Sequence, residues 1–270
     1  MKSALSRHKF GWTFLITQTW DPVAERFGAL PFIYGTVVTS ALALFIAIPL
    51  GVGAAIFLAE LAPAKISSGL TFLIELLAAV PSVIFGLLGV FVLVPILKTL
   101  EVPLRKTLGW TPLFQGPFYG TSLLAAGVVL SVMIVPFIIS ISREVILSVP
   151  NDQREAALAL GATRWEATWD IVVPYAYKGI TGSIFLALAR SLGETMAVTM
   201  VVGNDPKIAT SLFAPGYSIA ALIANEFAEA PGDLYTSALI ELGLVLFALT
   251  ILINGAARIL VASTTQKAGK

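Results

Sequence analysis

Five stretches of this chain are long and apolar enough to cross a lipid bilayer, and they constrain the fold more than any other feature. They run from about Phe32 to Leu58, Leu70 to Leu97, Ser122 to Ile141, Gly179 to Gly203 and Leu239 to Ala262. A hydrocarbon core about 30 Å thick takes about 20 helical residues to span. Inside it every backbone N–H and C=O must be satisfied within the protein, so each stretch is expected to be a helix. Pro49, Pro81 and Pro136 fall inside three of the stretches, where neighbouring helices and local adjustments can satisfy the freed carbonyls.

Composition points the same way. The 270 residues are 57% hydrophobic and 12% charged, against about 25% charged in a soluble domain. Charges this sparse cannot cover a water-soluble fold of this length, so lipid is the solvent for much of the chain. No cysteine is present, which removes disulfides, thiolate metal sites and a cysteine nucleophile. His8 is the single histidine, so neither a histidine zinc site nor a Ser/His/Asp triad is expected. The net charge of +1 gives no reason to expect nucleic acid as a partner. Lys2, Arg7 and Lys9 precede an apolar run, Phe10 to Ile16, that is too short for a signal-peptide core or a span.

Four connections join the spans: Glu60 to Gly69, Lys98 to Thr121, Ser142 to Lys178, and the acidic Asn204 to Ala238. No internal repeat is visible, and the chain reads as one membrane domain. The division expected is an extramembrane segment over 1–31, a membrane domain over 32–262 that includes the loop 142–178, and a tail over 263–270.

The third connection carries the most local order. Pro150 stops the incoming helix. Asp152 with Glu155 three residues on is an N-terminal capping pair, and Thr163 with Glu166 is a second. Between them Arg154 to Leu160 is rich in helix formers, and Gly161 is placed to end the helix. Trp165 and Trp169 fall one turn apart, and Pro174 is expected to close the second helix. Two short helices joined at a glycine turn follow, lying outside the hydrocarbon. The bland alternative is an ordinary interfacial loop.

Here Glu155-Ala156-Ala157, three residues, Gly161, nine residues, then Ile171-Val172-Val173-Pro174 resembles the EAA loop of bacterial ABC-importer permeases, with Val173 where leucine is usual. That loop is cytoplasmic in the family, and its short helix docks in a groove of the ATPase subunit. Glu155, Ala156, Ala157, Gly161 and Pro174 are the coupling residues this implies. Further runs are similar to the PstC-type permeases of phosphate-specific ABC importers: Trp20-Asp-Pro, Pro31 to Thr36, Ile74 to Ser82, Ala189 to Val198 and Ala224 to Ala230. The resemblance covers nearly the whole chain. It implies an all-α polytopic protein, a type I ABC-importer permease core with five membrane helices, in the bacterial cytoplasmic (inner) membrane. It also implies a second permease of PstA type, two ATPase subunits of PstB type, a periplasmic phosphate-binding protein of PstS type, and surrounding lipid. The family works without a cofactor of its own. No P-loop, HExxH or nucleophile elbow occurs in the chain, so ATP hydrolysis belongs to a partner.

With the 142–178 loop in the cytoplasm, lysine and arginine outside the spans divide equally between the two sides. The positive-inside rule therefore leaves orientation to the motif. The same placement puts residues 1–31 outside the membrane with no signal to carry them there. Since PstC-type permeases have one more N-terminal helix, the resemblance predicts a further helix before Met1.

The fourth span carries Arg190 and Glu194. Read as one helix, it places them about 6 Å apart along the axis, at roughly 2.5–3.5 kcal/mol of insertion cost each. On that helix Arg190, Ser191, Glu194, Thr195 and Thr199 share one half of the circumference. Arg190 would present a planar cationic fork to a passing oxyanion. Glu194 would position Arg190 or accept a hydrogen bond from protonated phosphate, which sulfate cannot offer. Ser191 and Thr195 complete the expected substrate path. The structural alternative is a self-satisfied ion pair. Glu75 and Glu241 read as carboxylates near span ends, Asn225 to Asp233 as a solvated face or docking surface, and Trp12, Trp20 and Trp110 as an interfacial aromatic belt. Two rival functions stay open at this point: permeation of another oxyanion such as sulfate or molybdate, and an intramembrane enzyme acting on a lipid-linked phosphate.

Overall fold

The computed structural model describes Ser6 and residues 9–268, with the side chains of 260–268 left aside. Lys2, Arg7 and His8 lie outside the described residues. All regular structure among the described residues is helical: α1 (Thr13–Ile16), α2 (Leu30–Ile56), α3 (Ala64–Ala78), α4 (Ser82–Leu88), α5 (Val94–Leu108), α6 (Leu123–Leu147), α7 (Asn151–Ala159), α8 (Arg164–Ala167), α9 (Val173–Leu192), α10 (Met196–Val201), α11 (Ile219–Glu226) and α12 (Asp233–Ala268). Wider π turns extend α2 (Phe57–Leu61), join α4 to α5 (Gly89–Leu93) and join α8 to α9 (Thr168–Val172). Five of the resulting helices are long and apolar enough to cross a membrane: Leu30–Leu61, Ser82–Leu108, Leu123–Leu147, Arg164–Leu192 and Asp233–Ile259.

The count of spans matches the sequence, but two of them are shifted. The stretch expected over Leu70 to Leu97 is two helices. α3 ends at Ala78, and Pro81 takes an extended ψ of 140° at the head of α4. A proline has no N–H to donate and pushes the preceding residue out of the helical region, so it starts the span rather than lying inside it. At the other end α5 continues to Leu108, past the expected boundary, with Glu101 and Arg105 paired one turn apart at 3.5 Å. Polar residues on the last turns of a helix look like loop when apolarity alone is read. The fourth span is also displaced, to Arg164–Leu192.

The chain divides into two compact units. The first comprises Met1–Ala43, Pro81–Leu130 and Ser191–Gly255; the second comprises Leu44–Val80, Ser131–Arg190 and Ala256–Lys270.

In the first unit, the segment before α2 is folded onto α11 and α12. Phe14, Phe27 and Phe32 are buried with Tyr217, Ile219, Leu222, Leu239 and Leu242. The Trp20 ring lies edge-on to Phe27 at 4.9 Å and to Phe32 at 5.1 Å, and Phe27 stacks on Tyr235 at 5.2 Å. Glu226 accepts from the Trp20 indole N–H at 3.0 Å and from the Tyr235 hydroxyl. Trp20 therefore belongs to a packed cluster, whereas Trp12 and Trp110 stay open as an interfacial belt requires. Glu226 likewise leaves the solvated acidic face to which its neighbours assign it. At Gly35 any Cβ would fall 2.2 Å from the Tyr217 carbonyl oxygen, so only glycine lets α2 approach that strand of backbone. In the same unit Glu241 lies about a quarter of the way along a longer helix than expected. It is 9% exposed and lines a cavity of about 530 Å³ with Ile33, Leu244 and Leu249.

The second unit packs the later halves of α2 and α6 against α9. Ala55, Ile56 and Leu58 meet Ile139, Ile146 and Val149 of α6 and its end, together with Val172, Ala176 and Ile180. The buried hydroxyls of Ser142 and Ser183 bond at 2.7 Å between α6 and α9, which satisfies both polar groups inside an apolar contact.

Candidate functional site

The polar loop is built as a bracket on the second unit. Helix α7 ends in the hydrogen-bond pattern of a Schellman turn: the Ala162 N–H donates to the Ala157 carbonyl at 3.1 Å and the Gly161 N–H to the Leu158 carbonyl at 3.0 Å. Gly161 takes φ +90°, a left-handed conformation that costs other residues about 1–2 kcal/mol. The following capping box is complete. The Thr163 backbone N–H donates to Glu166 Oε2 at 2.7 Å, and the Glu166 N–H donates to Thr163 Oγ1 at 3.3 Å.

Two details of the loop differ from expectation. Asp152 makes no cap: Pro150 is the residue at the head of α7, Asp152 lies inside the first turn, and no side chain caps that end. Nor does Pro174 stop the second helix. The π turn Thr168–Val172 shifts the bonding by one residue, with the Val173 N–H reaching the Thr168 carbonyl. That absorbs the proline's missing donor, so α8 runs into α9 and the fourth span begins at Arg164.

Nearly everything on α7 faces outward. Glu155 and Ala156 are exposed, and only Arg154 and Ala157 are partly covered. Leu160 is 91% exposed, and Leu158, Trp165 and Trp169 are open beside it, the two indoles 5.6 Å apart. An isolated helix of nine residues is marginal in water, so this one has to be held.

Arg154 holds it. Its Nε donates to Glu60 Oε1 at 3.0 Å and Nη2 to the same oxygen at 2.7 Å. Nη2 also donates to the Ile146 carbonyl at 2.8 Å, and Nη1 donates to the Val149 carbonyl and to Asn151 Oδ1 at 3.2 Å. Every N–H of the guanidinium has an acceptor. The two carbonyls lie at Ile146 in the last turn of α6 and at Val149 just beyond its end, where C=O groups lack full helical bonding. The side chains of Arg154 and Glu60 are 17% and 11% exposed. Sequence reasoning missed this pair. Its partners are 94 residues apart, and each reads locally as one more charge beside a span.

The fourth span breaks where one continuous helix was expected. α9 ends at Leu192, Gly193 to Thr195 form a turn, and the short α10 begins at Met196. The shared helical face of Arg190, Ser191, Glu194 and Thr195 therefore does not form, because residues after Gly193 no longer follow the 100° step. Arg190 lies in the last turn of α9, where a cation meets the negative end of the helix dipole. Its guanidinium sits over the Phe137 ring of α6, 5.5 Å from the centroid, within cation–π range. Glu194 lies in the turn, and its Oε1 accepts from the Ala197 N–H at 3.3 Å, as an acidic cap on α10 does. Neither Arg190 nor Glu194 takes part in an ion pair among the described residues. Ser191 is 3% exposed, and the Thr195 hydroxyl donates to the Gly193 carbonyl at 3.3 Å.

A membrane protein of five long helices, carrying one ordered, outward-facing helix pair in a polar loop and one cation at a broken span, has the plan of a permease driven by a separate motor. Residues 47–266 match the family of binding-protein-dependent transport system inner membrane components, and the chain belongs to that family. It is a multi-pass subunit of an ABC importer and a transporter subunit rather than an enzyme; such a permease works with an ATPase and further partners.

Its relatives narrow the class. The chain is 50% identical to the phosphate transport system permease protein PstC of Mesorhizobium japonicum, over 96% of this chain and 81% of that one. It is 45% identical to PstC of Haemophilus influenzae, over 97% and 84%. The resemblance to PstC-type permeases is thereby borne out. Among solved structures it is similar to the inward-facing MetNI methionine ABC transporter, with TM-score 0.58, 16% identity and coverage of 84% and 94%. An amino acid ABC transporter gives TM-score 0.56 at 19% identity, over 90% and 98%. At those identities the likeness is one of fold, and it agrees with an all-α permease.

Proposed function

We propose that this chain forms half of the translocation path of an ATP-driven phosphate importer, with Arg190 as the cation that meets the anion within the membrane. The observation that carries the reading is half-identity to a named phosphate permease over almost the entire chain. Arg190 supports it chemically. It lies in the last turn of the fourth span, at the break, and among the described residues its guanidinium meets an aromatic face and no carboxylate. A ring satisfies the charge without occupying the planar donor fork, which leaves that fork for oxyanion oxygens.

The assembly has a second permease of PstA type, two ATPase subunits of PstB type and a periplasmic phosphate-binding protein of PstS type. The loop from Glu155 to Pro174 faces the cytoplasm and docks α7 into a groove of an ATPase subunit, with Leu158, Leu160 and the tryptophan pair as apolar contacts. Glu194 holds the break in the fourth span by capping α10, and Ser191 and Thr195 flank that break.

The test is uptake of labelled phosphate into proteoliposomes holding the complete complex and ATP, with unlabelled phosphate, sulfate or molybdate as competitors. Phosphate alone should compete. Uptake displaced equally by sulfate or molybdate would transfer the reading to another oxyanion.

A further inference from the structure

We propose that the Glu60–Arg154 pair is the strut by which the docked loop drives the first membrane helix, so that its loss separates ATP hydrolysis from transport. The inference rests on α7 being the segment that docks on the ATPase.

Helix α7 has no buried residue, and Arg154 is the charged side chain by which it is tied to the ends of α2 and α6. Three contacts fix the guanidinium plane on Glu60: Nε to both carboxylate oxygens, at 3.0 and 3.2 Å, and Nη2 to Oε1 at 2.7 Å. A paired fork resists rotation and sliding, as a single hydrogen bond or a point charge does not. At its other edge the same plane is seated on the Ile146 and Val149 carbonyls. Displacing α7 therefore displaces Arg154, and Arg154 takes Glu60 with it.

Glu60 lies in the π turn Phe57–Leu61, which continues α2 without a break from Ile56. The Ala62 N–H bonds back to the Phe57 carbonyl at 2.8 Å, and the Ser67 hydroxyl donates to the Leu58 carbonyl at 2.7 Å. The end of the helix is thus rigid on either side of the carboxylate. Movement imposed on Glu60 acts on the membrane helix itself and is not lost in a loose connection. Little water reaches the pair, so its attraction is weakly screened.

A strut and a mere staple differ in what their loss does. A staple holds the loop together, so breaking it should weaken docking, hydrolysis and uptake in parallel. A strut transmits motion after docking, so breaking it should leave docking and hydrolysis while uptake falls. Glu60→Gln is the better probe, because Arg154 keeps its carbonyl contacts and α7 keeps its capped end. In the complete complex in proteoliposomes, Glu60→Gln should retain ATPase co-purification and hydrolysis within about twofold. Phosphate carried per ATP should fall about tenfold or more. Glu60→Asp, which keeps the charge on a shorter arm, should recover part of that ratio. A parallel fall in co-purification, hydrolysis and uptake, or an unchanged ratio of transport to hydrolysis, overturns the strut.

The chain has no cysteine, which allows a second test in a cysteine-free complex. Glu60→Cys with Arg154→Cys should lose ATPase docking and transport together, since the Arg154 carbonyl contacts go as well, and a short thiol cross-linker between the two should restore both. A cross-linked complex that hydrolyses ATP but carries no phosphate also overturns the proposal. Failure of the wild-type chain to hold an ATPase at all would instead remove the docking reading beneath it.

Discussion

Arg154 and Arg190 both sit against apolar helices of the second unit, yet they are handled in opposite ways. Arg154 has an acceptor for each N–H, from one carboxylate, two carbonyls and an amide. Arg190 has an aromatic face beneath it and the end of a helix behind it. Both arrangements offset the cost of withdrawing a cation from water, but only the second leaves hydrogen-bonding capacity for something else. A saturated arginine holds parts of a protein together, and an arginine met by a ring keeps its donors, as the proposed role of Arg190 requires. The polar loop and the broken span are therefore expected to fail differently when disturbed.

The largest effect should come from Arg190→Ala. A phosphate with one to two negative charges cannot leave water without a countercharge at a cost of less than several kcal/mol. Since each 1.4 kcal/mol is tenfold, uptake should fall by about 100-fold or more. Assembly and basal ATP hydrolysis should persist, because no ion pair is broken. Arg190→Lys keeps the charge but not the fork and should retain about a tenth of the uptake. Arg154→Ala should invert the pattern by stripping the end of α6 and the base of α7 together, with loss of ATPase co-purification as the main readout. Loss of assembly in Arg190→Ala alongside intact assembly in Arg154→Ala would reverse the comparison.

Gly161→Val should act only through the loop. A β-branched residue at φ +90° carries about 1–2 kcal/mol of strain or more, so ATPase retention in mild detergent should drop about tenfold. Membrane insertion of the chain should be unaffected. Normal retention would mean that α7 docks by some route independent of the Schellman turn, and the loop would lose its assigned role.

The sequence made the loop more legible than the span. Gly161 and the Thr163–Glu166 box are local: their partners lie within five residues, and the residue types required by the backbone are visible in order. Arg154 and Glu60 meet only after the chain has crossed the membrane, and nothing local marks them. In the fourth span, hydropathy extends past Gly193 because Met196 to Val201 is apolar, but that segment is a separate helix that buries Ala197, Val198 and Val201 in the first unit. Burial in protein and exposure to lipid select the same residues, so apolarity could not reveal the break. Pro81 and Pro174 show the same limit from the other side: one begins a helix and the other is absorbed by a π turn. The proline alone did not distinguish those outcomes.

The smallest effect should come from Glu194, and two substitutions there sharpen what kind of site the broken span is. Glu194 accepts the Ala197 N–H at 3.3 Å, so Glu194→Ala removes a cap worth about 1 kcal/mol. That should lower the thermal stability of the purified complex by a few degrees at most and reduce uptake several-fold. Glu194→Gln keeps an oxygen in the same place. It forfeits only the charge at the head of α10, worth roughly 0.3–1 kcal/mol, so uptake should stay within about twofold of wild type. The same change at Glu60 deprives Arg154 of its ionic partner and should cost far more transport, although both carboxylates become amides of the same size. Equal loss at the two positions would mean that the Glu194 charge meets the substrate, or a proton on it, and that Arg190 does not face the anion alone. Uptake in Glu194→Gln as low as in Arg190→Ala would carry that further and make the two residues one binding site.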